Sequence, residues 1–212
     1  MAKIYKIFKD SNKDLMINNQ DLLKIENIIK YKFKNKDLLK KCFLHSSLFK
    51  KNKNNADSIS DYERLEFLGD RVLGLLIAYL IFDNFPNYSE GKMSVKLSYL
   101  VQRNFLSKIS TELKLYKFLK MSKDQNINLK KNKSILADTL ESLIGAIFID
   151  GGFNESKKFV KKIWSNYIID ENTNIIDPKT VLQELSQRKS KLLPIYKLIE
   201  KKRSSTFTNI QS

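Results

Sequence analysis

The sequence predicts an all-α body followed by a short α-β-β segment. Apolar residues recur at helical spacing almost throughout, and β-like alternation is confined to the C-terminal stretch. A polar cluster from Asp170 to Thr173, with Asp177 and Pro178 soon after, divides the two parts. At 212 residues the chain has room for one full domain and one small module.

Each element has its own signal. Leu22, Leu23, Ile25, Ile28 and Ile29 predict one short helix, and Leu38, Leu39, Phe43 and Leu44 another. Lys50 to Ser60 is polar and aperiodic, hence a loop. Ser60 followed by Glu63 is a capping-box pattern, so a helix should start at Asp61 and run until Pro86 halts it. Ser89 can cap the next helix, whose apolar positions run from Met93 through Leu97, Leu100, Val101 and Ile109 to Leu113. Met121 to Lys133 is lysine-rich loop. Ser134 then opens a helix through Ile149, closed by Asp150, Gly151 and Gly152, and a further helix covers Glu155 to Ile169. Beyond the boundary, Lys179 to Arg188 reads as helix, and Ile195 to Glu200 with Thr206 to Ile210 as a strand pair.

Composition narrows the function. The 39 Lys and Arg against 23 Asp and Glu give a net charge of +16, which points to a polyanionic partner, nucleic acid before anionic membrane. A general abundance of Lys, Asn and Ile accounts for part of that surplus. The lone Cys42 excludes a disulfide framework or a cysteine-rich metal site and fits a reducing compartment. The lone His45 excludes a two-histidine zinc site, so any metal is a hard cation held by carboxylates. The N-terminus lacks an apolar signal core, and the longest uncharged apolar run, Val72 to Phe82, is well short of the roughly 20 residues a bilayer requires. A soluble cytoplasmic protein is expected, with neither a membrane nor a small-molecule substrate as partner. A membrane-surface reading would need a continuous lysine face that the acid-bearing helices lack.

Against this basic background the acids on apolar helices stand out. In DYERLEFLGDRVL, Glu63, Glu66 and Asp70 are spaced by three and then four and share one helical face. In SILADTLESLIGAIFIDGG, Asp138 and Glu141 are three apart among Ile135, Leu136, Leu140, Leu143 and Ile144. Acids in such company are costly to bury ionised unless a cation or donor compensates them. Two helices crossing here would gather carboxylates around one spot, and oxygen-only ligation suits Mg²⁺. Without that crossing, the same acids are solvated helix faces, with Glu63 serving only Ser60.

ERLEFLGD, then FPNYSEG, then SILADTLESLIGAIFIDGGF, in that order, resemble the ribonuclease III family, and the resemblance runs from Asp21 to Thr208. FLHSS at Phe43 to Ser47 is similar to its short histidine motif, and DPKTVLQEL from Asp177 to the first helix of its double-stranded RNA-binding domain. The resemblance implies an N-terminal extension over 1–20, an all-helical endonuclease domain over 21–170, a linker over 171–176 and a truncated RNA-binding domain over 177–212. It implies a homodimer in which each acidic cluster cuts one strand of an RNA duplex, processing ribosomal precursors and other structured RNAs. Matched by position, Glu66, Asp70, Asp138 and Glu141 are implied as metal ligands, with Asp70 and Glu141 catalytic. Mg²⁺, or Mn²⁺ in its place, would deliver water to the phosphorus and leave 5′-phosphate and 3′-hydroxyl ends. Glu63 and Glu90 match accessory acids, whose other roles are helix capping and helix-terminal charge. Phe67 matches a residue inserted into the partner subunit, its other reading being an ordinary core Phe, Gln183 and Glu184 match minor-groove contacts, and His45 is expected to be a packed or hydrogen-bonded histidine. The alternative is a non-catalytic RNA-binding or ribosome-associated protein on the same scaffold, which would have no need to retain every acid.

The chain departs from the family pattern in four places. Tyr62 stands where Asn is usual, so a polar contact near the site is expected to be missing. Arg71 follows Asp70 where a small residue is common, but one helical step of about 100° should turn it away from the acids. Met121 to Lys133 lacks a glycine-rich stretch. The segment 177–212 is shorter than the roughly 40 residues at which a lone domain usually folds, so it is expected to be partly disordered or to rest on the nuclease domain.

Overall fold

Side-chain caps and backbone breaks set the helix limits. In the computed structural model, which describes residues 17–48, 60–122, 129–170, 186, 196–202 and 205–210, helix α1 (Asn19–Ile29) starts where the Asn18 side chain accepts from the Asp21 N–H at 2.8 Å. It stops at Lys30, which adopts the left-handed conformation at φ 58°. Helix α2 (Lys36–Lys41) is capped by Asn35, and a single 3₁₀ turn, Ser46–Leu48, follows. Helix α3 (Asp61–Asn84) ends just before Pro86, as its sequence predicts. Its cap differs from expectation: the Ser60 side chain makes no capping bond, its Oγ is buried without a partner among the described residues, and Glu63 is exposed.

Met93 to Leu113, read as one helix, is two. Helix α4 (Glu90–Val101), capped by Ser89, gives way at Gln102, whose ψ of 149° is extended, and helix α5 (Arg103–Glu112) starts in a new direction. The break turns Phe105, Leu106 and Ile109 into the core. Short 3₁₀ turns follow at Leu115–Lys117 and Leu129–Lys131. Helix α6 (Lys133–Ile169) is capped by Asn132 rather than Ser134, because Asn132 is the residue whose side chain accepts from the Ile135 N–H. The two expected helices are joined in α6 with one kink, at Gly152, where φ is 76° and ψ −170°. Among the described residues no helix is long and apolar enough to cross a membrane.

The chain divides into two units, Met1–Thr173 and Asn174–Ser212. In the first, α3 packs along α6 over a core that includes Leu73, Leu76, Ile77, Leu140, Leu143 and Ile144, all fully buried. The Trp164 indole N–H donates to the Leu100 carbonyl at 3.1 Å and fastens the second half of α6 to α4. Asp150 accepts from the Tyr31 hydroxyl and from the Lys34 and Asn35 N–H groups at 2.7–2.8 Å, which ties the α1–α2 turn to α6. In the second unit, β1 (Tyr196–Lys202) pairs antiparallel with β2 (Ser205–Ile210), Tyr196 opposite Ile210 and Lys202 opposite Ser205, with a register irregularity between Lys197 and Glu200. The expected strand pair is therefore present. The expected helix Lys179–Arg188, apart from Ser186, lies outside the described residues, as do residues 1–16, 49–59 and 123–128 of the expected extension and loops.

α3 and α6 touch through glycines. A Cβ on Gly69 would lie 1.8 Å from the Glu141 carbonyl oxygen, and one on Gly145 would lie 2.2 Å from the Leu65 carbonyl oxygen. Both obstacles are backbone, which cannot rotate aside. Gly69→Ala should therefore destabilise the chain although alanine is the better helix former by about 1 kcal/mol. Overpacking at backbone contact costs about 1–3 kcal/mol or more. Thermal unfolding checks this: a lowered melting temperature is expected, and an unchanged or raised one would show that the helices can part freely.

Candidate functional site

The glycine crossing brings the acidic segments of α3 and α6 together. Gly69 sits between Glu66 and Asp70, and the backbone atom it touches belongs to Glu141. Carboxylate oxygens of Glu66, Asp138 and Glu141 all lie within 4.8 Å of one another. They line a cleft of about 370 Å³ with Phe67, Asp70 and Arg103. Tyr62, one turn before Glu66, is buried, and its hydroxyl lies 3.1 Å from the Thr139 hydroxyl beside Asp138. Thr139 donates its own proton to the Ile135 carbonyl at 2.6 Å, so the phenol is the donor in this inter-helix bond. A polar contact is thus present where the loss of Asn suggested one would be missing.

Crowding and burial set the protonation of the site. Burial is the main cause that pushes the Glu66 carboxyl up to about 7, with Asp138, Glu63 and Asp70 adding repulsion. Burial again, followed by Asp70, Asp138 and Glu66, pushes Glu141 up to about 8. Asp138 is also raised by burial, while Arg103 and a hydrogen bond from Ser134 oppose the shift. Among the described residues none of these three carboxyls has a cation within ion-pair distance, and such part-buried groups bind protons at pH values where carboxyls in water release them. Three hard oxygen donors so placed match the preferences of a divalent cation such as Mg²⁺, and they leave room for water ligands. Their ionised forms are what such an ion would hold.

The remaining site candidates fall in different places. Asp70 lines the same cleft but is not one of the three convergent acids, because its Oδ2 is 2.9 Å from Arg71 Nη1. This corrects the expectation that Arg71 points away: helical angle fixes the direction of Cβ, whereas a long flexible side chain can fold back on its neighbour. The Arg71 guanidinium also lies over the Phe67 ring, 5.6 Å from its centre. Glu63 is exposed and lines a neighbouring cleft with Phe67, although its charge reaches Glu66. Glu90 sits in the first turn of α4 and accepts from the Ser94 hydroxyl at 2.7 Å, outside the set of residues that line the acidic cleft. Phe67 is 67% exposed, unlike a core residue. His45 is held as expected, its Nδ1 accepting from the Ser47 N–H at 3.1 Å and its ring tilted against Tyr62. Gln183 and Glu184 lie outside the described residues. Sequence reasoning missed Arg103, which counters the raised carboxyls of Glu66, Asp138 and Glu141. Its only signal was the break at Gln102, which no glycine or proline marks.

Comparison with known proteins points to one family. The family described as Ribonuclease-III-like matches residues 35–167. Ribonuclease 3 of Rickettsia felis is 38% identical over 189 residues, covering 87% of this chain and 83% of that protein. Ribonuclease 3 of a Wolbachia sp. from Brugia malayi is 41% identical over 177 residues, covering 83% and 72%. Among solved structures, the nuclease domain of ribonuclease III from Campylobacter jejuni superposes with a TM-score of 0.61 at 35% identity, over 71% of this chain and 97% of that one. A second structure of that domain, described for flexibility in a region involved in dimer formation, gives 0.60 at 36% identity, over 69% and 98%.

The raised carboxyls have a consequence for stability. In the folded, cation-free chain Glu66 and Glu141 bind protons up to about 7 and about 8, whereas the unfolded chain releases them near the ordinary 4.5. Protonation therefore favours the folded state, and the gain is lost as pH rises through those folded values. In a chelator, the melting temperature should rise as pH is lowered from about 9 to about 6. Added Mg²⁺, which binds the ionised carboxylates, should stabilise most at the alkaline end. A cation-free melting temperature that is flat across this range would count against the clustering.

Proposed function

The chain belongs to the ribonuclease III family and is an endoribonuclease of double-stranded RNA, and on that premise we propose that Glu66, Asp138 and Glu141 hold Mg²⁺ for hydrolysis of the phosphodiester to 5′-phosphate and 3′-hydroxyl ends. The convergence of those three carboxylates within 4.8 Å carries the reading. When bound, the ion would neutralise charge at the phosphate and lower the pKa of a water so that it can attack once its proton is lost to solvent, and Mn²⁺ would satisfy the same oxygen donors. A scaffold that only bound RNA would gain nothing from holding several acids together at this electrostatic cost.

The chain's own residues divide the work. Glu141, pushed up to about 8 by burial and by Asp70, Asp138 and Glu66, is the acid whose ionised form gains most from a divalent ion beside it. Asp70 joins the other acids when its carboxylate leaves Arg71, an exposed pair worth at most about 1 kcal/mol. Tyr62 and Thr139 hold the two acidic segments in register from behind. Glu63 tunes Glu66 through charge, and Glu90 orders the start of α4. Structured RNAs such as ribosomal precursors are the substrates, and the cytoplasm is the place of action.

Phe67 supports a homodimer. It is exposed on α3 beside a cleft of about 570 Å³ lined in part by Leu38, Leu65, Leu68 and Ile149, an apolar recess that a second copy's Phe67 would fill. The strand pair of the second unit supports reading 177–212 as the α-β-β part of a double-stranded RNA-binding domain, in which Gln183 and Glu184 would meet the minor groove. Residues 21–170 are then the nuclease domain, 171–176 a linker and 1–20 an extension.

Two substitutions test these assignments. Glu141→Gln should lower duplex cleavage in Mg²⁺ at least about a hundredfold, since even outer-shell partners of a metal cost 10–100-fold. Near wild-type cleavage would remove the assignment. Phe67→Ala should sediment as monomer at concentrations where the wild-type chain is a dimer, and an undiminished dimer would show that Phe67 does not join the subunits.

A further inference from the structure

Arg103 is the one cation among the described residues that line the acidic cleft. It opens α5 directly after the extended Gln102, so a backbone turn, not helix periodicity, aims it. That start is anchored twice. Phe105, Leu106 and Ile109 are buried, and the neighbouring Asn104 side chain accepts from Lys133 Nζ at the first turn of α6, at 3.1 Å. Arg103 itself is exposed, and among the described residues it makes neither an ion pair nor a side-chain hydrogen bond, although its charge is felt by Glu66, Asp138 and Glu141. Arg71, the other guanidinium beside these acids, is already occupied by Asp70.

We propose that Arg103 grips a phosphate of the RNA strand entering the acidic cleft, and so holds the substrate against the carboxylates. The proposal rests on the nuclease reading above. One divalent ion does not neutralise Glu66, Asp70, Asp138 and Glu141 together, and an arriving phosphodiester adds another negative charge at short range. A fixed cation on the same wall offsets that repulsion. Guanidinium suits this role because it stays charged at any working pH, and its forked donors match two phosphate oxygens at once.

The test compares Arg103→Gln and Arg103→Lys with the wild-type full chain on a long RNA duplex in Mg²⁺. Arg103→Gln should lower kcat/KM about tenfold or more, as expected for a lost charge-assisted contact. It should also flatten the fall of log kcat/KM with log salt by about one unit, the signature of one phosphate contact. Arg103→Lys should recover the salt dependence and only part of the rate. A different result, an unchanged salt slope with an altered Mg²⁺ requirement, would mean that Arg103 merely balances the carboxylates, and would overturn the proposal. Equilibrium binding of the same duplex, with each Arg103 variant placed in the Glu141→Gln background, separates this proposal from the one beneath it. Loss of affinity there supports the phosphate contact even if no form of the chain cleaves, and unchanged affinity and slope overturn it even if the wild type does.

Discussion

The convergence of the acids depends on two helices that meet backbone to backbone. Gly69 and Gly145 each occupy a place where a methyl group would strike a carbonyl oxygen of the opposite helix. A side chain at either position would push the crossing apart, and carboxylates reaching from both helices, now within 4.8 Å of one another, would be drawn apart with it. The remaining contacts between these segments follow from that approach. The Tyr62–Thr139 bond bridges the gap one turn away, and Leu73, Ile77, Leu140 and Ile144 close the core behind it. The backbone is the least compliant part of the molecule, so a glycine crossing transmits position with little slack.

That rigidity explains how the chain sustains an unfavourable charge arrangement. Three part-buried acids whose carboxylate oxygens lie within 4.8 Å of one another repel when ionised, and burial together with this crowding raises their carboxyls above the ordinary range rather than letting them separate. Relaxation is blocked on both sides: Glu66 and Glu141 stand on helices whose spacing is fixed by Gly69 and Gly145, and Asp138 is one residue from the Tyr62 anchor. A site held under repulsion in this way is organised for a cation before the cation arrives, which reduces the rearrangement that binding would otherwise require.

How much of this the sequence shows depends on which physical rule sets each feature. Asp61 to Asn84 was legible because a polar cap region and Pro86 bound an apolar run, and the acids at 66, 70, 138 and 141 were legible because spacing reports a shared face. Spacing does not report which faces of separate helices meet. The close contact of Gly69 with Gly145, the break at Gln102 and the resulting place of Arg103 are tertiary, and no local signal announces them. Ser60 shows the converse failure, in which a correct capping pattern is left unused because its hydroxyl turns into the interior. Arg71 shows a third, since side-chain length overrode the angular argument that placed it away from Asp70.

The chain's net charge of +16 and its acidic cleft act over different ranges. Far from the surface the lysine-rich exterior dominates and draws in a polyanion, an attraction that decays over about 10 Å at moderate salt. Within the cleft the sign reverses, and the same polyanion meets Glu66, Asp70, Asp138 and Glu141. On the proposed reading, the acids that would gather a cation are also the groups that repel the incoming phosphate. Fixed positive groups offset the same repulsion, and the two guanidinium groups beside these acids among the described residues are not equivalent. Arg71 is spent on Asp70 and on the Phe67 ring, whereas Arg103 is held at the cleft wall by a helix anchored through buried Phe105, Leu106 and Ile109 and by a broken backbone turn, with no ion pair or side-chain hydrogen bond among the described residues. The arrangement is therefore asymmetric, acids on α3 and α6 facing a charge delivered by α5, and the turn at Gln102 is as much a part of the site as the carboxylates themselves.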